Sequence, residues 1–191
     1  MGFPEDWLIR DAAGNLYGMT EAGGNSNLGT VFKVDPQNNE TVLYSFGGQP
    51  DGANPFAGLI RDTQGNLYGT TFQGGTGCGI VFKLDANGTE TVLNSFTGEA
   101  DGCNPAARLV RDAAGNLYGT TVVGGGVFEL DESGTLTVLH QFTGGTDGGT
   151  PLGPLLRDAA GDLYGTTSEG GRLLCTGGHR AGCGVVFKLT P

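Results

Sequence analysis

A chain of 191 residues with 38 glycines and only 16% charged residues has little with which to build surface helices, and it reads as turn-rich β-structure. Ten basic against twenty acidic side chains leave a formal net charge of -10, which argues against nucleic acid and anionic membrane as partners, since both reward Lys and Arg. No apolar run approaches a membrane span, so no membrane insertion is expected. The opening MGFPEDWLIRD also lacks the basic and apolar stretches of an export signal, which is expected to lie outside the chain.

In chain order the sequence repeats one phrase four times: LIRDAAGNLYG from Leu8, LIRDTQGNLYG from Leu59, LVRDAAGNLYG from Leu109 and LLRDAAGDLYG from Leu155. Arg10, Arg61, Arg111 and Arg157 stand 51, 50 and 46 residues apart, a period that belongs to β-propellers and similar arrays. Each repeat predicts four short strands: L-I-R-D, N-L-Y-G-T-T, V-F-K-L and T-V-L-x-x-F. The expected fold is all-β, with tandem four-stranded repeats at about 4–54, 55–104, 105–150 and 151–191 forming one small propeller domain. The chain stops after Val186 to Leu189, so the fourth repeat is expected to lack its outer strand, and self-association to complete the ring is a live alternative.

Strands one and two are linked by Asp-x-x-Gly at Asp11, Asp62, Asp112 and Asp158, and strands three and four by the same device at Asp85 and Asp131, with Asp35-Pro36-Gln37-Asn38 as its variant. Asp accepts backbone hydrogen bonds there and Gly or Asn takes the left-handed position, so these seven aspartates read as turn formers rather than catalytic carboxylates. In a four-stranded meander the other links, between strands two and three and between repeats, fall together on the opposite face. There the repeats differ: EAGGNSNLG, FQGGTGCG, VVGGG and SEGGRLLCTGGHRAGCG. Function is expected on that face, because loops on a rigid scaffold carry binding.

Three features of that face carry chemistry. Cys78, Cys103, Cys175 and Cys183 all fall on it without a C-x-x-C pair, which favours disulfides over zinc. The expected pairs are Cys175 with Cys183 and Cys78 with Cys103, four free thiols being the alternative. The repeat crossings share D-G-x-x-P, placing Asp51, Asn54, Asp101, Asn104 and Asp147 where their oxygens suit calcium, though the same motif is also a plain turn. The inserted fourth loop sets His179 and Arg180 near Glu169 and Arg172. That is a base, an acid and anion-binding groups in one segment, unless the histidine is incidental to a surface loop.

The units SFGGQPDGANPFAGLIRDTQGNLYGTTFQGG and SFTGEADGCNPAARLVRDAAGNLYGTTVVGG closely resemble the bacterial Gloeobacter/Verrucomicrobia, or GloVer, tandem repeat over essentially the whole chain. The resemblance implies an extracellular or cell-surface protein. One characterised protein of this kind, of metagenome origin, hydrolyses N-acyl-homoserine lactones, so the resemblance also implies a quorum-quenching lactonase. In such an enzyme calcium on the crossing loops would polarise a lactone carbonyl while His179 or a carboxylate deprotonates water. The alternative expectation is a noncatalytic module that binds glycans or proteins through equivalent loops of the array.

Overall fold

The computed structural model describes residues 8–171 and 182–191, and every regular element among them is a β-strand. No helix of the described residues is therefore long and apolar enough to cross a membrane. Repeat 1 is the antiparallel meander β1 (Ile9–Arg10), β2 (Leu16–Thr20), β3 (Thr30–Val34) and β4 (Glu40–Ser45). A crossing strand β5 (Gly52–Ala53) leads to repeat 2, in which β6 (Ile60–Arg61), β7 (Leu67–Thr71), β9 (Ile80–Leu84) and β10 (Glu90–Ser95) form the sheet while β8 (Gln73–Gly74) pairs with β5. Repeat 3 joins β11 (Cys103–Pro105) and β12 (Val110–Arg111) to the same long strand β13 (Leu117–Val123), followed by β14 (Gly126–Leu130) and β15 (Leu136–Gln141). Among the described residues, repeat 4 comprises β16 (Leu156–Arg157), β17 (Leu163–Thr166) and β18 (Val186–Leu189). The fold is a β-propeller type, and its blades fall into two compact units, Met1–Phe96 and Thr97–Pro191.

The hairpins form for the reason read from the sequence. Gly14, Gly65, Gly115 and Gly161 have φ between 90 and 100°, while Asn38 stands at 66° in the variant turn. In each hairpin the leading Asp takes the amide four residues on, as Asn15 N to Asp11 Oδ1 at 2.9 Å and Thr135 N to Asp131 Oδ1 at 2.8 Å. The second oxygen of Asp11, Asp62, Asp112 and Asp158 accepts from the Tyr of the next strand at 3.0 to 3.2 Å. Hydrogen bonding to the charged form, led by the Asn15 side chain, holds the Asp11 carboxyl down to about 2.

Within each unit the core is built of aromatic and aliphatic side chains from two successive repeats. Phe46, Phe82, Phe96 and Phe128 are all within 1% of complete burial, each contributing about 1.5–3 kcal/mol in apolar area removed from water. Strand four of repeats 1 to 3 carries a register shift against strand three, between Val31 and Phe32, Val92 and Asn94, and Val127 and Phe128. The bulge turns the T-V-L-x-x-F segment so that its final Phe reaches the core.

The crossings pair with the loops between strands two and three: Gly52 with Gly74, Cys103 with Val123, and Gly149 with Glu169. This confirms that both kinds of link share a face. The Gly-Gly pairs that open those loops, Gly23-Gly24, Gly74-Gly75, Gly124-Gly125 and Gly170-Gly171, all have positive φ. A Cβ on Gly75 would stand 2.3 Å from Ser95 Oγ, so these glycines serve backbone geometry and close packing rather than a phosphate.

Candidate functional site

The crossing aspartates are each engaged within their own turn. Asp51 accepts from the amides of Gly47 and Gly52 and from the Tyr44 hydroxyl. Asp101 accepts from the Thr97 amide at 2.8 Å and its hydroxyl at 2.7 Å. Asp147 repeats the pattern with Thr143, whose hydroxyl is the main cause of the lowered Asp147 carboxyl. Asn54 and Asn104 sit at φ 53 and 59°, and Asn54 turns its side-chain amide to the Glu21 carbonyl at 3.3 Å. Among the described residues no group of three His, Cys, Asp or Glu side chains converges as metal ligands do. The carboxylates of Asp51, Asp101 and Asp147 each accept from donors of their own turn.

In the first unit Tyr44, Asp51 and Glu90 form an acidic corner. Burial lifts the Tyr44 hydroxyl well above the ordinary phenol range, with the Asp51 carboxylate adding to it, so Tyr44 remains a donor. Burial, again with Asp51 adding, pushes the Glu90 carboxyl up to about 7. The folded chain then holds that proton more tightly than the unfolded chain, whose Glu titrates near about 4.3. Stability from this group is fully present below the unfolded value and is lost as pH rises through the folded one. The melting temperature of the protein is expected to fall between about pH 5 and pH 8. Glu90→Gln should flatten that fall and leave the variant the more stable of the two at the upper end. Parallel curves for the two proteins in thermal melts would contradict the assignment.

A wide concavity lies in the second unit, on the face where loops and crossings meet. It is an open cleft of about 460 Å³ bounded by Gly124 and Gly125 of the third loop, Gln141 to Gly144 at the end of β15, Gly149 and Thr150 of the crossing, and Glu169. Glu169 is held from both sides: its backbone exchanges hydrogen bonds with Gly149 at 2.9 and 3.2 Å, and Thr150 Oγ1 donates to its Oε2 at 2.8 Å. Behind Thr143, His140 Nε2 stands 3.5 Å from Asp147 Oδ2, and its ring meets Phe142 edge-on at 4.7 Å.

Of the residues singled out in the sequence, Glu169 lines this cleft and Asp147 stands one residue contact behind it. Arg172, His179, Arg180 and Cys175 lie outside the described residues. Cys78 and Cys103 are disulfide-bonded, as their expected pairing requires, and Cys183 is disulfide-bonded as well. His140, not among the residues singled out in the sequence, is only about a third exposed. A signal existed. His140 precedes Asp147 by seven residues as Tyr44 precedes Asp51, and both pairs are in contact.

Solved structures with the same fold include a gluconolactonase from Xanthomonas campestris, at TM-score 0.61 and 19% identity over 98% of this chain and 57% of that one. Another is virginiamycin B lyase from Staphylococcus aureus, at TM-score 0.64 and 12% identity over 88% and 50%. A third is a chain of the nidogen/laminin complex, at TM-score 0.60 and 19% identity over 84% and 56%. This chain thus spans little more than half the length of the propellers it matches, and at these identities the likeness shows the fold alone. No curated protein matches the sequence. Residues 3–191 match the Gloeobacter/Verrucomicrobia repeat profile along their whole length, so the chain belongs to the Gloeobacter/Verrucomicrobia repeat family.

Proposed function

We propose that this protein is a lactonase-type hydrolase, with N-acyl-homoserine lactones as its foremost substrates, working in the cleft of the second unit. The observation that carries this reading is a cleft of about 460 Å³ with one anchored carboxylate, Glu169, among hydroxyl, amide and glycine groups. That volume suits a small molecule. Glu169 takes a proton from water, the water oxygen adds to the lactone carbonyl, and the ring C–O bond breaks as the released alkoxide gains a proton, giving a hydroxy acid. His179 with Arg172 and Arg180 would serve as a second base and as anion-binding groups from the adjoining insertion. The fold shared with a gluconolactonase and a lyase supports an enzyme at the coarse level, and the family resemblance favours an extracellular or cell-surface setting.

A second reading, a noncatalytic module that binds glycans or proteins, is favoured by the recurrence of one loop device in every repeat and by the fold shared with a chain of the nidogen/laminin complex. Acid release from N-acyl-homoserine lactones and from gluconolactone, followed with and without a chelator, separates the readings. Turnover is expected, and its loss under chelation with the fold intact would assign a part of the reaction to a bound cation. No turnover on any lactone, with saturable binding of a glycan or protein, would decide for the module.

A further inference from the structure

The cleft of the second unit is a slot that the first unit fills with its own chain. In repeat 1 the loop EAGGNSNLG ends on Asn27, Leu28 and Gly29, and the Leu28 carbonyl accepts from the Asn54 amide at 2.8 Å. The Leu28 side chain packs on the core cluster that holds Phe46. It also lies over Gly48, where an added Cβ would stand 3.2 Å from Leu28 Cδ1. One leucyl residue thus supplies an acceptor to the crossing and an aliphatic arm to the end of the fourth strand.

Repeat 3 keeps the frame of that slot and drops the filling. Thr150 matches Asn54 in place and in backbone, at φ 51° against 53° and with Pro151 for Pro55, while Phe142 and Gly144 match Phe46 and Gly48. The Phe142 amide donates to the Gly125 carbonyl at 2.7 Å as the Phe46 amide donates to that of Gly29 at 3.0 Å, so Gly125 answers to Gly29. The loop here is only VVGGG, with no residues to match Asn25 to Leu28. Three groups are left uncovered. Among the described residues the Thr150 amide has no acceptor. A Cβ on Gly144 would meet nothing within 4 Å. Phe142 is 8% exposed where Phe46 and Phe96 are 0% exposed. Thr150, Gly144 and Phe142 all line the cleft of about 460 Å³.

We propose that the vacant slot recognises a small amide with a branched aliphatic arm, the chemistry of the leucyl residue that fills its counterpart. The ligand's amide carbonyl accepts from the Thr150 N–H as the Leu28 carbonyl does from Asn54, and its arm lies on Phe142 over Gly144. An N–H left without an acceptor at a half-buried position favours a ligand that supplies one, and the uncovered ring and glycine favour an apolar group beside it. As a statement about substrate this rests on the lactonase reading of the same cleft: an acylated lactone would set its amide carbonyl on Thr150 and its acyl chain on Phe142, leaving the ring to Glu169. As a statement about binding it stands on the comparison of the two slots.

N-acetyl-L-leucinamide titrated into the full chain and followed by amide NMR should bind saturably, with a Kd on the order of 1 mM. It should move the Thr150 amide resonance and slow its hydrogen exchange, whereas the Asn54 amide, already bonded to Leu28, should not respond. N-acetylglycinamide, which keeps the carbonyl and lacks the arm, should bind at least about ten-fold more weakly. Inserting NSNLG between Gly125 and Gly126 gives the third loop the filling of the first. It should abolish binding with far-UV circular dichroism unchanged, since surface loops tolerate added length. Gly144→Asn, a residue that tolerates the φ of 79° there, should weaken binding several-fold and serves as the second test if the insertion disturbs the fold. No saturable binding of N-acetyl-L-leucinamide, or equal affinity for the glycinamide, overturns the proposal. Binding of the leucinamide without turnover of any lactone would leave the slot assigned and sink the hydrolase, whereas lactone turnover by a protein that ignores the leucinamide would do the reverse.

Discussion

Phe128→Ala is expected to cost about 3–5 kcal/mol, enough to unfold much of a marginally stable domain. The ring is 1% exposed, and its place in the blade depends on a glycine. A Cβ on Gly119 would stand 2.5 Å from Phe128 Cζ and 2.9 Å from Leu109 Cδ2. The same notch occurs at Gly18, Gly69 and Gly165, where the ring is Phe32, Phe82 or Phe187. The L-Y-G of the second strand is therefore a packing motif, its glycine leaving room for the ring edge of the third-strand phenylalanine against the backbone. Gly119→Ala should cost about 1–3 kcal/mol by overpacking. Combined with Phe128→Leu, which empties the space the new methyl needs, it should cost less than the two single changes summed, by about 0.5–3 kcal/mol. Urea unfolding midpoints of the four proteins test this. Strict additivity, or a neutral Gly119→Ala, would show that the glycine is not where the ring rests.

What could be read from the sequence was local. The turn aspartates were legible because donor, acceptor and left-handed residue lie within five positions, as in Asp11 to Asn15. The four blades were legible because the same strand phrases recur. The crossings were only half legible. D-G-x-x-P was read for cation ligands, yet each Asp closes a ring with the residue four before it, Gly47, Thr97 or Thr143. Two of those residues are threonines whose hydroxyls take the second oxygen. That pattern was in the sequence, as T-G-x-x-D, and it identifies a turn cap. The pairing of Gly52–Ala53 with Gln73–Gly74, the register shifts in the fourth strands and the cleft around Glu169 depend on segments distant in sequence meeting in space. Strand periodicity alone does not encode them.

Replacing Glu169 by Gln should lower kcat for lactone opening by about 10²–10⁴ with little change in KM, since a general base contributes on that scale in the transition state. The amide is nearly isosteric, and its carbonyl oxygen still accepts from Thr150 Oγ1, which lies 2.8 Å from the carboxylate. The backbone bridge to Gly149 does not involve the side chain, so folding and ligand binding should survive while proton transfer does not. Thr150→Ala should have a smaller effect, because it frees the carboxylate to rotate without removing it. If His179 is the base instead, His179→Ala will take the larger loss in kcat, Glu169→Gln will be mild, and the proton-transfer role passes to the insertion. Asp51→Ala and Asp101→Ala serve as the contrast, since each should lose its turn cap and some stability but keep the turnover of the folded fraction. Full activity in Glu169→Gln and His179→Ala, with loss confined to the aspartate variants, would remove the cleft from the reaction and place the chemistry on the repeated crossings.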